Sequence, residues 1–382
     1  MGRPQLYERG KDINQEFADM IPVATPSIGE KELEYVCDAV KSGWISSQGK
    51  YVQQFEEQFA KYCGVRYGAS VANGTVALHL ALSLLGIRRN DEVIIPALTY
   101  ISVANAVAYT GAKPVFVDSD PYTWCINPDK IEEKINRNTK AIMPVHLYGH
   151  PAEMELIMEI AKRYGLYVIE DAAEAHGAEY KGKKVGSIGD IGVFSFYGNK
   201  IITTGEGGMI LTNRQTWHER AQFLKNHAMS KDQRYFHSEV GFNYRLTNIQ
   251  AALGLAQLER IDDFIEKKRK IAQTYNRLLG DLKGITLSPE ASWCKNVFWM
   301  YSVIVEDGFG LSRNELMNRL SENGIETRPF FVCMHKQPPY ASNLELPVAE
   351  RLSARGINLP SSVNLKEEEI EFVCSVIRSF SG

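Results

Sequence analysis

Tyr167-Val-Ile-Glu-Asp171 is a short apolar run that ends in two acids. It belongs to a series. Ala69–Ala72, Val93–Pro96, Pro114–Asp118 and Ala141–Val145 precede it, and Val193–Phe196 and Met209–Leu211 follow. Helical stretches are predicted between the first five runs, for example Val76–Leu85 and Glu153–Tyr164. Strands that alternate with helices imply an α/β fold with a mostly parallel sheet covered on both faces. Ligands bind such sheets at the carboxyl ends of the strands, so Asp171 ends where a ligand is expected.

Outward from this core the pattern changes. A Gly-rich loop, not a helix, separates Val193–Phe196 from Met209–Leu211. A long charged helix is predicted from Asn248 to about Leu279, followed by a strand over Phe298–Val305 and helices over Arg313–Asn323 and Glu367–Phe380. The expected organisation is an arm over residues 1–20, a large α/β domain over 21–257 and a smaller C-terminal α+β domain over 258–382. A chain of 382 residues has room for one large and one small core.

Bulk composition narrows the function. Hydrophobic residues make up 44%, charged residues 23%, and the formal net charge is −3. That is ordinary for a soluble protein and unlike a nucleic-acid-binding surface. No apolar run reaches the 18 or so residues of a membrane span. The first residues are polar and charged, unlike a secretory signal. None of the six cysteines forms a CxxC pair, which leaves zinc and redox motifs unsupported and suits a reducing, cytoplasmic setting.

Four local patterns carry possible chemistry. Asp171 reads equally as an acid reaching solvent or as a carboxylate in the ligand crevice, where it favours a protonated pyridine nitrogen. Lys200 follows Phe194-Ser-Phe-Tyr-Gly-Asn and precedes glycines 205, 207 and 208. It reads as a solvated charge, or as an amine made nucleophilic by partial desolvation. Ser195 offers a hydroxyl to a phosphate. Asn73-Gly74-Thr75 opens a helix, which suits a plain cap or an anion site. Tyr100, just past a strand end, reads as a core ring or as a ring that stacks on a flat cofactor. The pairing of Asp171 with Lys200, 29 residues on, is the stronger signal.

These segments resemble the DegT/DnrJ/EryC1/StrS sugar aminotransferases, of the aspartate-aminotransferase fold (fold-type I, pyridoxal-phosphate-dependent). The resemblance runs from about Ile21 to Phe380. It is carried by GWISSQGKYVQQFE, NGTVALHLAL, PALTYISVANAV, MPVHLYG, VIEDAAEAHGAEYKGKKVGSIGD, FSFYGNKIITTGEGGMI and GFNYRLTNIQAALGLAQLE. It implies pyridoxal 5'-phosphate (PLP) as cofactor, with Lys200 as its Schiff-base lysine and acid/base and Asp171 paired with the pyridinium nitrogen. Glu174 takes the place, near the PLP 3-hydroxyl, where many relatives carry Gln. Gly74, Thr75 and Ser195 are implied at the phosphate and Tyr100 on the ring. Asn243 is implied to reach the PLP phosphate of a neighbouring subunit, which requires a homodimer. His335 and Tyr340 in MHKQPPY match a motif near the sugar, with Arg328 close by or on the surface.

The implied reaction moves an amino group from L-glutamate to a nucleotide-linked keto-sugar. GDP-4-keto-6-deoxymannose, giving GDP-perosamine, is the first expectation, and a UDP- or dTDP-linked keto-sugar the next. Some relatives carry His in place of the lysine and remove a hydroxyl as dehydratases; Lys200 favours transfer. A PLP-binding regulator or a cofactor-free scaffold is the non-enzymatic alternative.

Overall fold

The structure is a computed structural model and describes residues 20–381. The arm expected over residues 1–20 therefore lies outside the described residues apart from Met20. The apolar runs form strands β1 (Tyr67–Val71), β2 (Glu92–Pro96), β3 (Lys113–Val117), β4 (Thr139–Ile142) and β5 (Tyr167–Asp171). A small hairpin, β6 (Glu179–Tyr180) and β7 (Lys183–Lys184), comes before β8 (Ile191–Ser195) and β9 (Gly208–Thr212). Lys181 and Gly182 at the hairpin tip both have positive φ, 47° and 78°, the geometry that matches strand twist in a two-residue turn.

Seven strands make the main sheet, in the order β1-β9-β8-β5-β4-β2-β3. The pairs among β2, β3, β4, β5 and β8 are parallel, while β9 runs antiparallel to both β1 and β8. Val71, Pro96, Val117, Asp171 and Ser195 consequently end at one edge, and Gly208, the first residue of β9, lies opposite both Val71 and Ser195 there. That edge is where the expected ligand residues gather.

The helices are α1 (Glu30–Lys41), α2 (Lys50–Cys63), α3 (Gly74–Leu84), α4 (Ser102–Tyr109), α5 (Met154–Tyr164), α6 (Gln215–Leu224), α7 (Asn248–Leu258) and α8 (Ile261–Leu279). Two expectations need correction. The long helix over 248–279 is broken at Glu259–Arg260, where Arg260 leaves helical geometry with φ −115° and ψ 5°. The break redirects the chain: α7 is buried along nearly its whole length, whereas α8 is amphipathic. The β3–β4 connection holds no α-helix, only short 3-10 turns at Pro128–Lys130 and Glu132–Lys134, the second ended by Ile135 in extended geometry.

The remaining elements are β10 (Ile285–Leu287), β11 (Cys294–Lys295), β12 (Tyr301–Val305), α9 (Arg313–Glu322), β13 (Arg328–Pro329), α10 (Pro347–Arg355), β14 (Gly356–Leu359) and α11 (Glu367–Ser379). An antiparallel sheet, β10-β12-β14-β13, packs with α8, α9 and α11 around a second core that includes Tyr275, Tyr301, Leu316, Ile357 and Val373. β11 instead pairs with β6, so the C-terminal chain reaches back to the main sheet's flank. The main core buries Phe59, Phe194 and Phe196 fully, at roughly 1.5–3 kcal/mol of stabilisation per side chain. Among the described residues no helix is long and apolar enough to cross a membrane.

Candidate active site

The two acids that end β5 part company because successive strand residues face opposite ways. Glu170 turns into the protein and accepts backbone N–H bonds from Gly186 (2.8 Å), Ile188 (2.6 Å) and Gly189 (2.6 Å). His146 lies 3.1 Å from the same carboxylate through Nε2. Its Nδ1 accepts from Ala152 N–H at 3.0 Å, which leaves the proton on Nε2 to be donated to Glu170. Glu170 thus ties down the loop after β7. Asp171 is anchored by its backbone: its N–H donates to Pro144 (2.9 Å) and its carbonyl accepts from His146 N–H (3.0 Å).

The Asp171 carboxyl is buried and accepts from Ala173 N–H at 3.0 Å. Burial pushes its pKa above the ordinary carboxylate value, against the pull of that N–H and of the Lys200 charge. Lys200 sits in the turn after β8, its N–H donating to Tyr197 at 2.9 Å. Its side chain is 11% exposed, and its Nζ lies 3.8 Å from Glu174 Oε1. Burial lowers the amine's pKa, while Glu174 and Asp171 oppose the shift. Glu174 itself is pushed up to about 7 by burial, despite Lys200 and a hydrogen bond from Tyr148 N–H; that bond measures 2.8 Å. One amine and two protonatable carboxyls therefore share a dry pocket, an arrangement in which proton affinities are set by burial and mutual charge.

The second group is a cradle. Asn73 caps α3 by accepting from Val76 N–H at 3.0 Å, which leaves first-turn N–H groups of Gly74 and Thr75 free of intrahelical partners. Gly74 packs directly on Ser195: a Cβ added there would lie 2.8 Å from the serine Cβ and 3.1 Å from its Oγ. A Cβ on Gly208 would lie 2.5 Å from the Asn73 carbonyl oxygen. Two glycines thus let a helix N-terminus close onto the end of β8 beside the Ser195 hydroxyl, an arrangement that suits an anion.

The other expected residues are more dispersed. Tyr100 follows β2 at the same edge, 56% exposed, with its ring 5.7 Å from that of Phe331. Met334 N–H bonds the Ala97 carbonyl at 2.8 Å, bringing the MHKQPPY segment to this edge. His335 is buried, with Nε2 2.9 Å from Glu350, and Tyr340 donates to Asn105 on α4 at 2.6 Å. Arg328 pairs with Glu326 at 3.3 Å, with no bond to His335 or Tyr340. Asn243 is exposed and accepts from Arg245 at 2.7 Å, in a segment tied to the end of β1 by the Ala72 N–H bond to the Tyr244 carbonyl at 2.8 Å.

Three neighbours of Lys200 escaped the sequence reading. Tyr148 donates its N–H to Glu174 from a left-handed backbone, φ 52°. His176 is buried among Phe59, Phe194 and Phe196, and burial drives its pKa down to about 3. Trp299 lays its ring over the lysine amine, 3.7 Å from Nζ to the centroid. His176, five residues past Asp171, and Tyr148, in MPVHLYG, lay in segments already singled out; Trp299 lies in Val297-Phe-Trp-Met-Tyr-Ser-Val303, a run that shares the resemblance but gives the ring no role.

A family model for the DegT/DnrJ/EryC1/StrS aminotransferases matches residues 26–378. The chain belongs to that family. It is a family of PLP-dependent sugar aminotransferases, and this protein is an aminotransferase of that kind. The chain is 50% identical to the GDP-perosamine synthase of Escherichia coli O157:H7, over 94% of this chain and 98% of that one. It is 47% identical to the GDP-perosamine synthase of Caulobacter vibrioides, over 94% and 97%. Among solved structures it is similar to the aminotransferase TlmJ from Streptoalloteichus hindustanus, with a TM-score of 0.90 and 31% identity over 94% of this chain and 98% of that chain. S. venezuelae DesV gives a TM-score of 0.87 and 34% identity over 97% and 96%. These likenesses bear out the family, the fold class and the transferase reading of the sequence.

Proposed function

We propose that Lys200 carries PLP and that the enzyme moves an amino group from L-glutamate to GDP-4-keto-6-deoxymannose, giving GDP-perosamine. The observation that carries the cofactor assignment is the pairing of a buried amine with the buried Asp171 and Glu174 carboxyls, beside a helix end that suits a phosphate. The cradle fits the group's anionic end and the acids fit its basic ring nitrogen and hydroxyl. The sugar assignment rests on the 50% identity to a GDP-perosamine synthase.

Within this proposal Gly74, Thr75 and Ser195 hold the phosphate, Asp171 holds a proton on the ring nitrogen, Glu174 faces the ring hydroxyl and Tyr100 walls one face. When bound, PLP supplies an electron sink. Lys200 does the proton work: its free amine would take the proton from the amino acid's α-carbon and deliver it to the cofactor's C4′ carbon in the same half-reaction, and would make the reverse transfer, from C4′ to the sugar's former keto carbon, in the second half. Burial keeps that amine from being locked as an ammonium, and the two carboxyls keep it from losing its proton altogether. His335 and Tyr340 are assigned to the sugar side; Arg328 is kept there on the resemblance alone. Asn243 of a second copy completes the phosphate site in a homodimer, which suits its exposure in its own chain. The same proposal divides the chain near 257/258, in the last turn of α7 just before the break at Glu259–Arg260; residues 21–25 nevertheless bond to the C-terminal unit through Ile21–Gly324, Val23–Glu326 and Thr25–Ser362.

The test is product analysis. Enzyme, PLP and L-glutamate are incubated with GDP-, UDP- and dTDP-linked 4-keto-6-deoxy sugars, and the products are identified by mass spectrometry and NMR. GDP-perosamine with 2-oxoglutarate is expected. Preference for another nucleotide overturns the sugar assignment, and a deoxy-sugar with ammonia overturns transfer.

A further inference from the structure

Trp299 reaches Lys200 from the C-terminal part of the chain, and the structure spends several interactions on keeping it there. Its indole Nε1–H donates to the carbonyl of Asn199, the residue before the lysine, at 2.7 Å. Its ring face lies under the Lys200 amine at 3.7 Å. Its other neighbour is the Tyr148 ring, stacked at 6.2 Å with 21° between planes. Its own carbonyl accepts from Lys268 Nζ at 2.8 Å, and the same Nζ bonds the Ser361 carbonyl. Lys268 is a buried lysine of α8 whose recorded hydrogen-bond partners are these two carbonyls. The backbone before Trp299 is unusual as well. Phe298 is left-handed at φ 47°, a conformation bulky residues seldom adopt. It is held by the buried Asn296, whose Oδ1 accepts Phe298 N–H at 2.8 Å.

We infer that Trp299 is a positioning residue for Lys200: its ring face is the resting place of the lysine amine whenever that amine is not bonded to the cofactor, and Lys268 fixes the ring. An aromatic face attracts an ammonium more strongly than a neutral amine, and more so where water is excluded. The indole N–H fastens the ring to the lysine's own backbone neighbour, so ring and amine keep one relative position. The groups that face the amine are then the Glu174 and Asp171 carboxyls, the neutral His176 and the Trp299 ring. The inference rests on the reading of Lys200 as the cofactor lysine.

The experiment reads the amine itself. Full-length protein freed of cofactor is labelled with acetic anhydride across pH, and acetylation of the Lys200 peptide is followed by mass spectrometry. A second arm uses protein carrying pyridoxamine phosphate, in which the proposed lysine is a free amine. Tetrafluorotryptophan installed at position 299 keeps the ring's shape and removes its attraction for cations. The labelling midpoint is expected to move to lower pH by about one pH unit, a roughly tenfold gain in free amine below the midpoint. Trp299→Leu should move it the same way, and Trp299→Phe should restore much of the difference. Lys268→Met should produce a smaller displacement of the same sign. An unmoved midpoint in the fluorinated protein overturns the inference, as does a Phe variant that behaves like Leu. Borohydride fixation of the cofactor in the loaded enzyme tests the cofactor-lysine reading separately, since attachment to another lysine would leave the labelling result intact.

Discussion

Burial and charge pull the Lys200 amine in opposite directions, and the chemistry depends on that balance. Lys200→Ala removes the proton carrier and the proposed attachment point together. We expect turnover, followed as 2-oxoglutarate release, to fall by at least about 10²–10⁴-fold, the usual worth of general acid–base catalysis; near-normal rates would dismiss the assignment. Glu174, at a position where the family resemblance leads one to expect Gln, has its carboxyl raised to about 7 by burial. Glu174→Gln keeps an acceptor for Tyr148 N–H but cannot titrate. The limb near pH 7 in kcat/KM should vanish, with a loss of roughly tenfold or less, the scale of one ordinary hydrogen bond. A limb that survives in the variant would show that another group titrates there.

At the scale of elements, the cradle exists because α3 and β9 approach without side chains between them. Gly208→Ala would place a Cβ 2.5 Å from the Asn73 carbonyl oxygen and 3.0 Å from Gly74 N. Both atoms are backbone, so α3 must shift bodily. Overpacking of this kind costs typically 1–3 kcal/mol. We expect a lower Tm by calorimetry and weaker PLP binding by fluorescence titration, because the displaced N–H groups are the ones proposed to meet the phosphate. Stability lost with PLP affinity unchanged would place the phosphate elsewhere. The strand-and-helix order around this cradle was legible from apolar periodicity. The α7–α8 break was not, since Gln257-Leu-Glu-Arg260 contains no Gly or Pro to punctuate it. Nor were α1 and α2 anticipated, although both have strongly amphipathic sequences.

For the whole molecule, acid should separate the main sheet from the C-terminal segment. His150 is buried at that junction: Nδ1 lies 2.7 Å from the Pro151 carbonyl oxygen, and Nε2 accepts from Ala291 N–H at 3.2 Å. Burial lowers its pKa to about 4. A histidine held neutral in the folded state stabilises fully above the unfolded pKa of about 6.5, and that contribution is lost as pH falls toward 4. The loss for His150 is about 3 kcal/mol at most. His176, lowered to about 3, acts in the same direction. Glu174 acts oppositely, since a carboxyl raised to about 7 destabilises as pH rises from 4.5. Asp171, also raised by burial, acts with Glu174, but four histidines held below their ordinary value (His79, His150, His176 and His218) against these two acids leave a net fall in stability below pH 6.5. Urea titrations of cofactor-free protein should show the midpoint dropping from pH 6.5 to 4.5, and His150→Gln should flatten the drop. A midpoint constant over that range would mean His150 takes up its proton while folded.

The alternation of strands and helices, the edge at which their carboxyl ends meet, and the succession of Asp171, Glu174, Ser195 and Lys200 were all legible in the string of residues. Those follow from short-range periodicity and residue chemistry, which neighbouring residues record. Packing decided that Glu170 turns inward to bind the loop over Gly186–Gly189, while the buried Asp171 lies close enough to Lys200 to feel its charge. It also decided that Trp299, 100 residues beyond Asn199, closes over the amine. Burial and approach between distant segments are properties of packing, and packing is a sum over contacts that no local stretch of chain contains.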